Sequence, residues 1–238
     1  VQDFTWRELL DGFACAVCGR CTDVCPAHIS GKILSPMHVV ENLKEHVLEA
    51  GPDIVRGQDP QNARPLLGRW IQEEAVWDCL TCGACVQECP VGVEHVETIV
   101  DMRRHLVMEQ AKMPETATNA LLSMEQRGHP WRGPQYSRTD WAEGLDVKTL
   151  ADYPQAEILF WVGCTPALEQ RSQSVARSMV SVLKRAGVDF AVLGAEEGCT
   201  GDPARRMGNE YLYQTMAQQN IETLDRYDVK KIVTICPH

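Results

Sequence analysis

The stretch Cys15-Ala16-Val17-Cys18-Gly19-Arg20-Cys21-Thr22-Asp23-Val24-Cys25-Pro26 decides the fold of the first half of the chain. The same cysteine spacing returns in a second stretch, Cys79-Leu80-Thr81-Cys82-Gly83-Ala84-Cys85-Val86-Gln87-Glu88-Cys89-Pro90. Each copy has the pattern Cys-x2-Cys-x2-Cys-x3-Cys-Pro. A doubled run of this kind is typical of ferredoxins with two [4Fe–4S] clusters, in which the fourth cysteine of each run binds the other cluster.

This spacing has a geometric reason. Three cysteines separated by two residues lie on a tight loop that encloses one face of a cubane cluster, while the fourth, followed by Pro, reaches the neighbouring cluster. Gly19 and Gly83 allow the backbone to come close to the inorganic core. The pattern therefore predicts two ligand sets. Cluster I is predicted to be bound by Cys15, Cys18, Cys21 and Cys89, and cluster II by Cys79, Cys82, Cys85 and Cys25.

A disulfide framework and structural zinc both fit the cysteines less well. The chain has 11 cysteines, so a disulfide framework would leave one thiol unpaired. Four cysteines also suit a structural zinc ion, but zinc ribbons pair two Cys-x2-Cys knuckles and do not use a doubled run ending in Cys-Pro. The spacing favours iron–sulfur clusters and, with them, a reducing compartment.

Composition and charge exclude several classes of function. The formal net charge is -10 and no basic cluster is present, so nucleic acid is not an expected partner, whereas a basic redox protein is. No run approaches the roughly 18–20 apolar residues of a membrane span. The start, Val1-Gln2-Asp3-Phe4, has neither a signal peptide nor an initiator Met. We expect a segment of a longer protein that is cytoplasmic or peripheral at the inner face of the cytoplasmic membrane.

Helical patterns surround the two motifs. One helix is predicted from Ser35-Pro36 to Gly51, since Ser and Pro favour the beginning of a helix and Gly its end. A second is predicted over 94–111 and a third from Pro114 to Gly128. These long helices predict an α-helical ferredoxin domain over residues 1–128. Residues 129–155 are rich in Pro, Gly, Trp and charge, and are predicted to be a linker.

The last part of the chain, residues 156–238, alternates strands and helices. Strands are predicted at Ile158–Val162, Val188–Leu193 and Lys231–Ile235, and helices over 167–186 and 203–226. This βαβαβ order predicts a parallel sheet with right-handed crossovers. The fold class expected for the whole chain is thus a helical two-cluster ferredoxin domain followed by a partial α/β domain.

Three cysteines remain outside the two motifs. Cys164 and Cys236 follow predicted parallel strands, and Cys199 lies in the loop after the second strand. Ligand sites of open α/β sheets form at the carboxyl ends of the strands, so these three residues are candidates for a third site that binds a metal ion or a cluster. The alternative is that they are buried cysteines acting as small apolar side chains.

The cysteine segments resemble those of a known family. Gly163-Cys164, Gly198-Cys199-Thr200-Gly201-Asp202 and Cys236-Pro237-His238 look like parts of the cysteine-rich "CCG" domain of heterodisulfide reductase-like iron–sulfur subunits. That family includes the iron–sulfur subunits of anaerobic glycerol-3-phosphate dehydrogenase and glycolate oxidase, together with membrane-fused relatives that transfer electrons from electron-transfer flavoprotein to menaquinone. Thr200 departs from the pattern, because the family motif has a second cysteine there.

The resemblance implies electron transfer from a flavoprotein dehydrogenase or an electron-transfer flavoprotein. The acceptor it implies is a quinone, reached through a membrane segment or subunit, or a C-terminal redox site. The cofactors are two [4Fe–4S] clusters and a further cluster or metal at the C-terminal cysteines. The chain would be the electron-transfer part of an oxidoreductase, with no catalytic residue of its own. The alternative is a catalytic disulfide reductase subunit with a third cluster in the cysteine-rich domain.

Overall fold

A computed structural model of the chain describes residues 3–58, 65–131 and 138–238. The chain divides into two compact units, Val1–Ala111 and Lys112–His238. The first unit holds both four-cysteine motifs, and the second holds Cys164, Cys199 and Cys236. The predicted ends of the ferredoxin domain at residue 128 and of the linker at residue 155 stay predictions. The helix that ends near Gly128 packs within the second unit.

Helices make up most of the first unit. They are α1 (Trp6–Ala14), α2 (Arg20–Asp23), α3 (Pro26–Ile29), α4 (Pro36–Val55), α5 (Glu73–Asp78), α6 (Ala84–Gln87) and α7 (His95–Arg104), which continues as a π-helical turn (His105–Glu109). The helix predicted over 94–111 is therefore confirmed, with a π turn at its end. Leu66–Trp70 is a kinked turn, because Leu67 and Gly68 have non-helical backbone angles.

The long helix α4 differs from its prediction at one end. It begins as expected, because the Ser35 side chain accepts a hydrogen bond from the His38 N–H and Pro36 occupies the first position. The prediction that Gly51 ends it was wrong, since the helix continues to Val55 with Pro52 inside its last part. The left-handed glycine that follows the helix is Gly57, at φ +71°. Composition alone could not distinguish these two glycines.

The core of the first unit lies directly behind the second motif. Val76 of α5 and Ile99, Met102 and Leu106 of the α7 region are fully buried, and they pack in one cluster that includes Cys25. Burial of such side chains contributes roughly 1.5–3 kcal/mol each. The apolar core therefore holds the two cysteine loops in place from one side.

The second unit contains a small parallel sheet. Its strands are β1 (Ile158–Trp161), β2 (Phe190–Ala191) and β3 (Ile232–Thr234), in the order β2-β1-β3, and both pairings are parallel. Its helices are α8 (Glu115–Arg127), α9 (Cys164–Leu168), α10 (Gln170–Arg185), α11 (Asp202–Arg206) and α12 (Glu210–Arg226), with short 3-10 turns at Asp140–Ala142 and Gly194–Glu196. The predicted βαβαβ arrangement is confirmed.

Two predicted helices are each divided in two. The helix predicted over 167–186 is interrupted at Glu169, whose backbone is extended and whose carboxylate accepts the N–H groups of Arg171 and Ser172. The helix predicted over 203–226 is interrupted at Gly208, at φ +85°, and restarts where Asn209 accepts the Leu212 N–H. In both cases a side chain satisfies the first N–H groups of the new helix, which makes the break stable.

Part of the segment predicted as a linker packs in the core of the second unit. Trp141 contacts Phe160 of β1 edge to face, with ring centroids 6.2 Å apart, and both side chains are buried. Thr149 also forms a parallel bridge with Val192. Residues 132–137 of this segment lie outside the described residues. Within the described ranges, none of the helices has the length and apolar character needed to cross a membrane.

Candidate metal centres

The two cysteine motifs follow the same backbone path. Val17 and Thr81 precede the second cysteine of their motifs, and both have a left-handed backbone, at φ +51° and +53°. Such a conformation is rare and strained for β-branched residues, and strain of this kind concentrates at functional sites. Gly19 and Gly83 are also left-handed, and α2 and α6 begin directly after them. The repeated sequence pattern therefore forms a repeated structure.

The four cysteines proposed for cluster II line one cavity. Cys25 comes from the first motif, yet it faces the same space as Cys79, Cys82 and Cys85 of the second. The remaining wall is mainly apolar and includes Leu34. Four soft thiolate donors in apolar surroundings fit a [4Fe–4S] cluster and do not fit a hard cation that prefers oxygen ligands.

The chain segments of the cluster I cysteines are tied together by hydrogen bonds. Asp11, in the last turn of α1 and four residues before Cys15, accepts the N–H of Glu94, which lies five residues after Cys89, over 2.9 Å. Arg7 of the same helix pairs with the Glu94 carboxylate at 2.7 Å. The structure thus connects the start of the first motif to the end of the second. The binding of cluster I by Cys15, Cys18, Cys21 and Cys89 stays a prediction.

Backbone N–H groups point at two of the sulfurs. The Thr81 N–H donates to Cys79 Sγ and the Val93 N–H donates to Cys89 Sγ, each over 3.3 Å. Hydrogen bonds of this type hold ligating sulfurs in place and stabilise their charge. They occur at one cysteine of each proposed ligand set.

Burial raises the pKa of several cysteines of the two motifs and so disfavours their ionised, thiolate form. It raises the pKa of Cys85 to about 12 and raises the pKa of Cys79 and of Cys21 above the ordinary thiol value. A buried sulfur is therefore protonated at neutral pH unless a cation replaces the proton. At the predicted cluster ligands iron would supply that charge, because metal binding deprotonates the thiol outright.

The structure brings the three C-terminal cysteines together. Cys164 follows β1 and hydrogen bonds with Cys199 from the loop after β2. Cys236 follows β3 and passes so close to Gly163 that a Cβ atom at Gly163 would lie 2.6 Å from the Cys236 Cβ. Gly163 has φ 85° and ψ 163°, a conformation that is almost restricted to glycine. The glycine thus lets Cys236 lie against the residue that precedes Cys164.

The protonation of these thiols is uneven. The hydrogen bond from Cys164 lowers the pKa of Cys199 to about 7, whereas the same hydrogen bond and burial raise the pKa of Cys164. Burial also raises the pKa of Cys236. Cys199 is therefore the sulfur that ionises most easily, which suits a nucleophile or a metal ligand.

Two further residues at this place carry buried charge. Glu197 accepts the N–H groups of Val162 and Gly163 over 2.9 and 2.7 Å, and it pairs with Arg138 at 2.7 Å. Arg138 also donates to Cys164 Sγ over 3.5 Å. Neither residue was predicted from the sequence. Glu197 stands two residues before Cys199, so its nearness to that cysteine in the sequence could have indicated a role at the site. Arg138 lies in a segment without helix or strand periodicity, so no signal in the sequence pointed to it.

The third site itself stays a prediction. Among the described residues, no three or more His, Cys, Asp or Glu side chains are grouped as ligands of one metal ion. A cluster places its ligands farther apart than a single ion does, so this finding concerns a single ion. The three cysteines stay candidate ligands of a further cofactor, with Arg138 beside Cys164.

Fold and cysteine sites together define an iron–sulfur protein of the electron-transfer type. Comparison with protein families agrees with this class. Residues 14–94 match the 4Fe-4S dicluster domain, and residues 158–238 match the cysteine-rich domain called CCG. The chain thus combines a dicluster ferredoxin domain with a cysteine-rich CCG domain, and it binds [4Fe–4S] clusters.

Similar proteins are known from bacteria and archaea. The chain is 38% identical to a "probable iron–sulfur-binding oxidoreductase" of Bacillus subtilis, over 100% of this chain and 39% of that protein. It is 37% identical to the EtfAB:quinone oxidoreductase of Syntrophomonas wolfei, over 100% of this chain and 37% of that protein. It is 28% identical to one subunit of the dihydromethanophenazine:CoB–CoM heterodisulfide reductase of Methanosarcina barkeri, over 99% of this chain and 57% of that subunit. The chain thus spans only part of each relative.

Removing the charge of Glu197 tests the role of the buried pair. In the variant Glu197→Gln, Arg138 keeps its charge but loses its partner in a buried place. We expect the free energy of unfolding of the second unit to fall by about 3 kcal/mol, because an uncompensated buried charge is costly. Native-state hydrogen exchange of the β1 amides measures this loss.

The neighbouring residue provides a matched control. Glu196 pairs with Arg226 on the surface, where both side chains are largely exposed. The variant Glu196→Gln should cost no more than about 1 kcal/mol, since water screens exposed pairs. Equal losses in the two variants would contradict a special role for the buried pair.

Proposed function

We propose that the chain is the electron-transfer part of an oxidoreductase, which accepts electrons from a flavoprotein and passes them through two [4Fe–4S] clusters towards a quinone. The observation that carries the proposal is the cavity shared by Cys25 and the three cysteines of the second motif. It supports the exchange of fourth ligands between motifs, which keeps two clusters close to one another. Each cluster supplies a one-electron acceptor and donor site.

The proposed ligand sets are those that the cysteine spacing predicts. Cluster I takes Cys15, Cys18, Cys21 and Cys89, and cluster II takes Cys79, Cys82, Cys85 and Cys25. The protein's own part is to hold the sulfurs, to donate N–H groups to Cys79 and Cys89, and to exclude water with the core behind α5. These are the means by which a protein tunes a cluster.

The proposed donor is a flavoprotein dehydrogenase or an electron-transfer flavoprotein. The name of the Syntrophomonas wolfei relative supports both this donor and a quinone acceptor. The sequence has no glycine-rich nucleotide fingerprint after a strand, so we assign the flavin to another chain. The net charge of -10 favours a donor surface with positive charge. Quinone reduction would take place on a membrane segment or subunit, with this chain at the cytoplasmic face.

A second candidate function concerns the C-terminal cysteines. Cys164 hydrogen bonds with Cys199 and lies beside Arg138, and Cys236 lies against Gly163; these contacts favour a third cluster or metal there. Such a site could accept the electrons of the first unit, or it could reduce a disulfide. Thr200 stands where the family motif has a cysteine, which favours the electron-transfer function over disulfide reduction.

Reduction by a flavoprotein tests the leading function. When the chain with its iron–sulfur clusters is mixed anaerobically with reduced electron-transfer flavoprotein, absorbance near roughly 400 nm should bleach, as it does when such clusters are reduced. The rate should fall as salt is added, because charge attraction between the two surfaces is screened. If dithionite bleaches the clusters but reduced flavoproteins do not, the proposed donor is wrong.

Exchange of the fourth ligand is tested by two cysteine variants. Cys25→Ser should damage the cluster held by the second motif and leave the other intact, although Cys25 belongs to the first motif. Cys89→Ser is the matched variant and should do the reverse. Electron paramagnetic resonance of the reduced proteins, compared with variants of Cys18 and Cys82, identifies which cluster is lost. Loss of cluster I in Cys25→Ser would show that each motif binds its own cluster.

Iron content tests the third site. Two clusters correspond to about eight irons per chain and three to about twelve. We expect more than eight in the anaerobically purified protein and a return to about eight in Cys199→Ala. Ser174→Ala, on the exposed face of α10, serves as the control. About eight irons per chain in all three proteins would show that the first unit holds all the iron and that the third site is empty.

A further inference from the structure

One buried histidine of the second unit lacks a partner for either ring nitrogen. His129 follows α8 and is only 4% exposed. Its Nδ1 and Nε2 are both shielded from water, and neither hydrogen bonds with any described residue. His46 and His95 of the first unit are also buried, but in each of them only Nδ1 is in this state. A polar group that is buried without a partner is costly, so His129 needs a partner from outside the protein chain.

The main chain on both sides of His129 is held in place. Before it, the Gly128 C=O accepts the Cys199 N–H over 3.0 Å. After it, the Trp131 C=O accepts the Ser123 hydroxyl over 2.6 Å. His129 therefore lies on a short anchored segment whose first anchor is the main chain of a C-terminal cysteine.

Arg138 connects His129 with a second cysteine. Its guanidinium donates to Cys164 Sγ over 3.5 Å and to the Gly198 C=O over 3.4 Å. Its charge also acts on His129: burial lowers the pKa of the imidazole, and the nearby Arg138 lowers that pKa further. His129 is therefore neutral at neutral pH, and a neutral imidazole has a lone pair that can bind a metal.

Arg138 has an unpaired donor of its own. Its Nε is buried and has no partner among the described residues, although its Nη2 pairs with Glu197. An N–H donor needs an acceptor such as a sulfide, whereas the lone pair of an imidazole needs a proton or a metal. An iron–sulfur cluster offers both kinds of partner, while a single metal ion offers only one. The two unpaired groups together therefore fit a cluster.

Other polar side chains near these cysteines are engaged or exposed. Thr200, which stands where the CCG motif has a second cysteine, accepts the Asp202 N–H with its hydroxyl over 3.3 Å. Both oxygens of the Glu197 carboxylate accept main-chain N–H groups at the end of β1. His238 is exposed. Beside Cys199, His129 thus has free nitrogens in the part of the chain that the structure describes, where Thr200 has no sulfur to offer.

We propose that His129 is the fourth protein ligand of a third cluster, together with Cys164, Cys199 and Cys236. Histidine replaces cysteine on iron in some iron–sulfur centres, and it raises the reduction potential because imidazole is neutral and thiolate is negative. A higher potential suits a cluster that accepts the electrons of the first unit. The inference rests on the third site of the second candidate function.

Pulsed electron paramagnetic resonance tests the ligand. In anaerobically purified protein with about twelve irons, the reduced third cluster should show the strong coupling to nitrogen that a coordinated imidazole produces. Labelling only the histidines with the heavy nitrogen isotope should alter this coupling, because main-chain nitrogens of other residues stay unlabelled. The Cys199→Ala protein, which is expected to lack the third cluster, supplies the signal of the other two clusters.

His129→Cys separates ligation from burial. It offers a thiolate in place of the imidazole, so the histidine coupling should disappear and the potential of the third cluster should become more negative, with about twelve irons retained. His129→Ala offers no ligand and should return the chain to about eight irons. His238→Ala is the matched control and should change none of these, because His238 is exposed although it lies two residues after Cys236.

The outcomes distinguish the ligand from the site. About twelve irons without a histidine coupling in the unaltered protein would overturn the inference, and so would a coupling that survives in His129→Cys or disappears in His238→Ala. If His129→Cys loses iron, the coupling in the unaltered protein still decides. About eight irons in the unaltered protein would overturn the third site and this ligand together. Failure of the leading function is separate, because it appears as clusters of the first unit that a reduced flavoprotein does not bleach.

Discussion

Keeping sulfur atoms ionised inside an apolar core is the constraint on which the first unit depends. Burial raises the pKa of Cys79 and of Cys85, so these thiols would stay protonated without a cation. The apolar core behind α5 and α7 creates that problem and also fixes the sulfur positions. In the proposed ligand sets iron would resolve this, because a cluster replaces the thiol protons with metal charge. We therefore expect folding and cofactor binding to be coupled, because metal binding supplies folding free energy where the unfolded chain has no preformed site.

The second unit also has polar groups buried at a site, namely main-chain N–H groups at the edge of its sheet, and a buried ion pair satisfies them. Three strands bring their carboxyl ends to one edge, and the main-chain N–H groups of Val162 and Gly163 need acceptors there. Glu197 satisfies both, and Arg138 balances its charge. This buried pair costs desolvation, so it is weak evidence for stability by itself. The pair instead joins two parts of the unit, because Glu197 binds the main chain at the end of β1 and Arg138 binds the sulfur of Cys164.

Repetition and asymmetry coexist in the first unit. Val17 and Thr81, and likewise Gly19 and Gly83, adopt the same conformations because the same cysteine spacing imposes the same loop. The helices around the loops are not copies of each other, since α4 has 20 residues and α7 has 10. Identical loops therefore lie among different helices.

The sequence by itself determined the class of protein, the cofactor type and the order of the elements. Cysteine spacing and strand or helix patterns are local properties, so the helix ended by Gly128 and the parallel strands could be predicted without coordinates. Glycine as a signal for the end of a helix was less reliable at α4, because both Gly51 and Gly57 could have ended it. Only the tertiary structure decided which distant residues meet: Arg103 with the carbonyl of Cys79, Asp11 with Glu94, and Arg138 with Cys164. Spacing encodes none of these contacts, because each joins elements that lie far apart in the chain and meet only after the core has packed.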